Sequence, residues 1–164
     1  MITEAEANIH RYPGYYQNLC ENFSDQMLSF KKIILLDIRR TGAKEMTEET
    51  KDKMLRILWS FSKRNMEIGY CQGMNFICFF LLDMGFTEEQ TFWMVCYIFE
   101  RLMPNNYYVN MIPVIADIEL FKIILEEYLP RLTTHLGKLS VDLNFMLIPI
   151  FVTAFTNIKN HYVR

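Results

Sequence analysis

The chain has 164 residues, 51% of them hydrophobic, 15% aromatic and 22% charged, with a net charge of −2. That is the length of about one domain, with enough apolar content for a sizeable core, and it excludes a disordered segment. The 17 basic and 19 acidic residues are dispersed, which excludes nucleic acid as a main partner, because phosphate recognition needs a clustered positive field.

The four cysteines, Cys20, Cys71, Cys78 and Cys96, include no CxxC pair and no histidine at zinc-ligand spacing. With the acidic, polar start "MITEAEANIH" carrying no secretory signal, the expected compartment is reducing and cytosolic. The longest apolar run, Phe76 to Leu82, falls far short of the ~18–20 residues needed to span a bilayer, so no membrane insertion is expected.

Few glycines and prolines punctuate the chain, and apolar residues recur at spacings of three and four, so the expected fold is all-α and multi-helix. Residues 1–11 read as a flank. Ser24 can N-cap a segment running through "QMLSFKKIILLDI", which can turn extended at the β-branched pair Ile33-Ile34. After the polar loop "RRTGAKEM", Thr47 followed by Glu48 and Glu49 predicts a helix start. That helix carries Met54, Leu55, Leu58 and Phe61 on one face and ends near Asn65. A buried helix is expected from Asn75 to Leu82. Thr87 with Gln90 forms a capping box that opens another, stopped by Pro104. "NNYYVNMIP" reads as a loop whose tyrosines pack inward. Val114 to Tyr128 is amphipathic, and Pro130 closes or kinks it. "THLGKL" continues as a short helix, and "NFMLIPIFVTAFTN" is a last buried helix with Pro149 in its first turn or at a kink. The apolar ending predicts that the domain continues beyond Arg164.

Two stretches can carry chemistry. In "GYCQGMN", Gly69 and Gly73 bracket Tyr-Cys-Gln and describe a tight lead into a helix. Gln72 and Asn75 then either cap that helix or face a ligand at its N-terminus. In "IILLDIRRTG", Asp37 and Arg40 are spaced to pair on a helix, or Arg40 projects from a firm base toward a partner's phosphate. A cysteine hydrolase built on Cys71 and His135 lacks any flanking signature.

Taken together, Ile34-x-x-Asp37-x-x-Arg40-Thr41 and Tyr70-Cys71-Gln72-Gly73-Met74-Asn75 resemble the IxxDxxR and YxQ motifs of the TBC domain, the family of GTPase-activating proteins for Rab-type small GTPases. "IFVTAF" at 150–155 is similar to the family's WFLT-x-F segment, and "PGYY" and "LPRLTTHL" are further family-like features. The resemblance covers the chain from about residue 12, giving a TBC-type domain over 12–164 that comprises the N-terminal and central portion of the family's fold.

The resemblance implies an activator of a partner's GTP hydrolysis rather than an enzyme in itself, with a role in vesicle trafficking. Arg40 would be an arginine finger and Gln72 a glutamine finger, both supplied in trans. Asp37 and Tyr70 would hold the two loops, Asn75 would satisfy backbone groups behind Gln72, and Thr41 and Gly73 complete the motifs. The partner implied is a Rab-family GTPase in its GTP form, which carries the nucleotide and magnesium, so the chain needs no cofactor or metal of its own. The alternative is a Rab-binding or scaffolding module with weak catalysis. Two departures stand out: Gly42 follows Thr41 where the family often has a bulky residue and then proline, and Ile150 replaces the tryptophan.

Overall fold

A computed structural model describes residues 1–21, 28–41, 46–104 and 106–157. The described residues are helical, with no strand, and form nine α-helices in two compact units, Met1–Asn105 and Asn106–Arg164. The first holds α1 (Ile2–Arg11), α2 (Tyr15–Glu21), α3 (Leu28–Arg40), α4 (Glu48–Arg64), α5 (Met74–Asp83) and α6 (Glu88–Tyr97). The second holds α7 (Ile112–Tyr128), α8 (Pro130–Lys138) and α9 (Leu143–Val152).

Helix α4 is the axis of the first unit, packing against α2, α3, α5 and α6. Thr47 caps it as the sequence predicts, its hydroxyl accepting the Thr50 N–H at 3.2 Å. Met54, Ile57, Leu58, Trp59 and Phe61 are all buried, so its second half is enclosed on most sides rather than along one stripe. Two serines tolerate that enclosure because each finds a partner: Ser62 Oγ donates to the Leu58 carbonyl at 2.8 Å, and Ser60 Oγ lies 3.4 Å from Cys20 Sγ.

The capping box at α6 is present, with Thr87 N–H donating to Gln90 Oε1 at 3.0 Å and Gln90 N–H to Thr87 Oγ1 at 3.3 Å. The helix widens into a π-turn over Ile98–Leu102 before Pro104. The possible extended stretch at Ile33-Ile34 is not formed. Helix α3 runs through it, because Ile34 and Ile38 are one helical turn apart and both are buried. Ser24 and Gly42 lie outside the described residues.

Residues 2–11, read from sequence as a flank, form α1, which packs on α6. Tyr12 and Tyr15 stack on Trp93 with ring centroids 5.9 and 5.6 Å away. The Arg64 guanidinium lies 5.3 Å from the Trp93 ring and 5.5 Å from the Tyr15 ring, and reaches both Glu100 carboxylate oxygens at 3.0 and 3.1 Å. The aromatic face and the carboxylate together complete the environment of this cation.

In the second unit α7 packs against α8 and α9. Val114 and Ile118 are fully buried, and Phe121 meets Phe151 edge to face at 5.8 Å. Tyr107 and Tyr108 are packed inward as expected, donating to Asp117 Oδ2 and the Val152 carbonyl, each at 3.1 Å. Pro130 starts α8 instead of kinking α7. Pro149 lies inside α9 rather than in its first turn.

Tyr16, Arg56 and Glu88 join α2, α4 and α6. Arg56 donates to both Glu88 oxygens at 2.7 and 2.8 Å, and Tyr16 OH donates to Oε1 at 2.6 Å. Burial alone would raise the Glu88 carboxyl, but the bonds from Arg56 and Tyr16 outweigh it and hold the group below its ordinary 4.5. A depressed folded value means the contribution is present above 4.5 and is lost as pH falls through the lower folded value. Thermal melts from about pH 7 down to about pH 3 should show Glu88→Gln less stable than the unaltered chain at neutral pH, with the gap closing in acid.

Candidate functional site

The last turn of α3 and the first turn of α5 meet at a set of buried polar side chains. Asp37, Thr41 and Asn75 are 6%, 1% and 1% exposed, and Tyr70 is 8% exposed. Tyr70 OH lies 2.9 Å from Asp37 Oδ2, to which it donates, and 3.3 Å from Asn75 Oδ1. Asn75 Oδ1 accepts the Gly73 N–H at 3.0 Å. Asn75 Nδ2 donates to Thr41 Oγ1 and, at 3.4 Å, to the Asp37 carbonyl. Thr41 Oγ1 in turn donates to that same carbonyl at 2.7 Å. Burying these groups unpaired would be costly; paired, they lock the two segments in one arrangement.

The approach to α5 is built from the end of α4. The backbone N–H of Asn65 closes α4 on the Phe61 carbonyl at 2.9 Å, and its side-chain oxygen accepts the Ile68 N–H at 3.1 Å. Gly69 follows at φ +61°, and a Cβ there would come within 3.0 Å of the Phe30 ring. Gly73, the N-cap of α5, has φ +111°. Both positions require glycine, one for space and conformation, the other for conformation. The Cys71 N–H between them is taken by the buried Met74 thioether at 3.4 Å.

Unlike the members of the buried network, Arg40 and Gln72 are exposed. Among the described residues no ion pair joins Arg40 to Asp37, although their spacing permits one, because Asp37 turns inward toward Tyr70. Gln72 does not cap α5, whose N-cap is Gly73 with no side-chain cap bond, and Asn75 bonds the Gly73 N–H and α3 instead. Among the described residues neither the Arg40 guanidinium nor the Gln72 amide has a hydrogen-bond partner. Arg40 continues directly into the network through Thr41, and Gln72 through Gly73. The site therefore presents a cation and a neutral amide to solvent from a common buried anchor.

The tyrosine proton is held firmly, since burial, then the Asp37 charge and hydrogen bond, push Tyr70 far above its usual range. The Cys71 thiol is also pushed up, by burial and then by Asp37, which is the opposite of an activated nucleophile. Phe30 and Met74 belong to the site's support; Met74 lies within the second motif, whereas Phe30 carried no sequence signal beyond being apolar. The described residues contain no cluster of three or more potential metal ligands.

Comparison with known proteins gives a consistent result. A family model described as the Rab-GTPase-TBC domain matches residues 3–161. Human TBC1 domain family member 2A is 36% identical over 151 residues, covering 88% of this chain and 16% of that protein. A TBC domain-containing protein of Schizosaccharomyces pombe is 35% identical over 150 residues, covering 88% of this chain and 19% of that one. The chain thus spans less than a fifth of the length of these relatives. The crystal structure of the Chlamydomonas flagellar RabGAP TBC domain shares the fold with a TM-score of 0.74 at 21% identity, covering 93% of this chain and 52% of that one.

Two substitutions test the anchor without touching either exposed group. Asn75→Ala leaves buried donors and acceptors on both segments unpaired and should lower unfolding free energy by roughly 2–4 kcal/mol. Gly69→Ala should cost more than about 1 kcal/mol, through a positive φ and displacement of the Phe30 ring. Urea denaturation monitored by circular dichroism measures both.

Proposed function

We propose that this chain, which belongs to the Rab-GTPase-TBC domain family, accelerates GTP hydrolysis by a Rab-type small GTPase, with Arg40 and Gln72 as its two fingers. The observation that carries the proposal is that these two side chains stand exposed and uncommitted on segments anchored to the same buried network. Phosphoryl transfer to water needs positioning and charge stabilisation more than covalent help, and those are what such a pair can supply. The Arg40 guanidinium, with five donors and a permanent charge, neutralises charge building between the γ-phosphate and its leaving group. The Gln72 amide accepts from the attacking water and donates toward phosphate oxygens, with no charge of its own to desolvate. A glutamate there would repel the phosphate. The partner is engaged in its GTP form and brings nucleotide and magnesium, leaving this chain without a cofactor. The site of action is the cytoplasm, with recruitment to membranes through the Rab or through flanking regions.

Rigidity beneath the fingers is part of the mechanism, because a displacement of an ångström at a catalytic group can cost about a hundredfold in rate. The Asn75 amide supplies that rigidity to both segments.

The test is GTP hydrolysis by a panel of Rab proteins preloaded with GTP, with the chain added as wild type, Arg40→Ala or Gln72→Ala. The unaltered chain should stimulate at least one Rab. Arg40→Ala should lose about 10³-fold or more of that stimulation, and Gln72→Ala a large part of it. A folded chain that stimulates none would overturn the proposal and leave a binding module.

A further inference from the structure

Helix α3 carries exposed apolar side chains, leading up to Arg40, that the fold does not use. Ile34, Asp37 and Ile38 turn inward, and Thr41 continues their line. The opposite side exposes Lys32, Ile33, Leu35, Leu36, Arg39 and Arg40. Ile33 is 46% exposed and Leu36 is 52% exposed. From Ile33 to Leu36 is three residues and from Leu36 to Arg40 four, so the two apolar side chains form a single stripe that ends at the guanidinium. The only acid between Phe30 and Thr41 is Asp37, which is buried. The outward face is therefore apolar and cationic in a chain whose net charge is −2.

We propose that the Ile33–Leu36 stripe is a docking face for the GTPase, governing affinity and choice of partner while Arg40 governs rate. This rests on the reading of Arg40 as a finger. The stripe runs directly into Arg40, so a protein receiving Arg40 at its bound phosphates has the preceding turns of the same helix beside it. Charge points the same way: Lys32, Arg39 and Arg40 suit a partner carrying a nucleotide triphosphate. A second copy of this chain, docked about a two-fold axis on this face, would bring these cations against their own counterparts.

The experiment uses the Rab that responds to the unaltered chain and measures stimulated hydrolysis over a range of Rab·GTP concentrations. Ile33→Ser and Leu36→Ser, singly and together, alter exposed positions, and far-UV circular dichroism with thermal melting checks their folding. The double variant should raise KM roughly tenfold with kcat within about twofold of the unaltered chain. Leu36→Met, which keeps an apolar side chain at that position, should leave KM near the original value. Arg40→Ala should show the converse, with kcat lost and KM little changed. An unchanged KM in the double variant, beside a responding unaltered chain, overturns the docking face and leaves the finger reading standing. A stable dimer in sedimentation that Leu36→Ser dissociates also overturns it, by assigning the face to a second copy. If no Rab responds at all, the function itself is wrong and the docking face falls with it.

Discussion

One carboxamide joins the two segments that matter most here. The oxygen of Asn75 takes the Gly73 N–H, and its nitrogen reaches Thr41 and the Asp37 carbonyl. Both ends of the group are used, and they are used on different segments. An aspartate would lose the donor end and place a second carboxylate near that of Asp37; a serine would be too short to span the gap. Asp37 itself lies buried near the C-terminal end of α3, where the helix dipole disfavours an anion, and Tyr70 OH is the donor that meets it. The polar cluster is dense because each member depends on the others being present.

Around that junction the first unit is organised for stiffness. Helix α4 contributes large side chains to the core and offers a surface to α2, α3, α5 and α6 at once. The Arg56–Glu88–Tyr16 set ties three of the helices by charge-assisted bonds. Arg40 and Gln72 thus stand on helix ends and tight turns held from beneath, while their own side chains stay uncommitted. A group that must meet a partner gains from this arrangement, because little ordering remains to be done when the partner arrives.

Much of this could be read in the residues themselves. Thr47, and Thr87 with Gln90, announced two helix starts, because capping chemistry is local and its spacing is fixed. Arg40 and Gln72 became candidates chiefly through the resemblance of the paired motifs, because nothing local sets one exposed arginine or glutamine apart from another. The β-branched pair Ile33-Ile34 misled toward an extended stretch, since propensity yields to the burial of Ile34 and Ile38 at helical spacing. Helix α1 looked like a polar flank because it buries little of itself beyond Ala5 and leans on α6. Phe30 beneath Gly69 was invisible in the sequence, because the two meet only once α3 and the end of α4 have folded together.

The stacking of Tyr12, Tyr15 and Arg64 on Trp93 has an optical consequence. The chain contains two tryptophans, and the other, Trp59, is buried in α4. Trp93 is 2% exposed, and much of its cover comes from residues at the α1–α2 junction. Departure of those first two helices would uncover Trp93 and wet its indole. The emission would then move to longer wavelength. The protein carries its own fluorescent reporter of whether its N-terminal helices are seated.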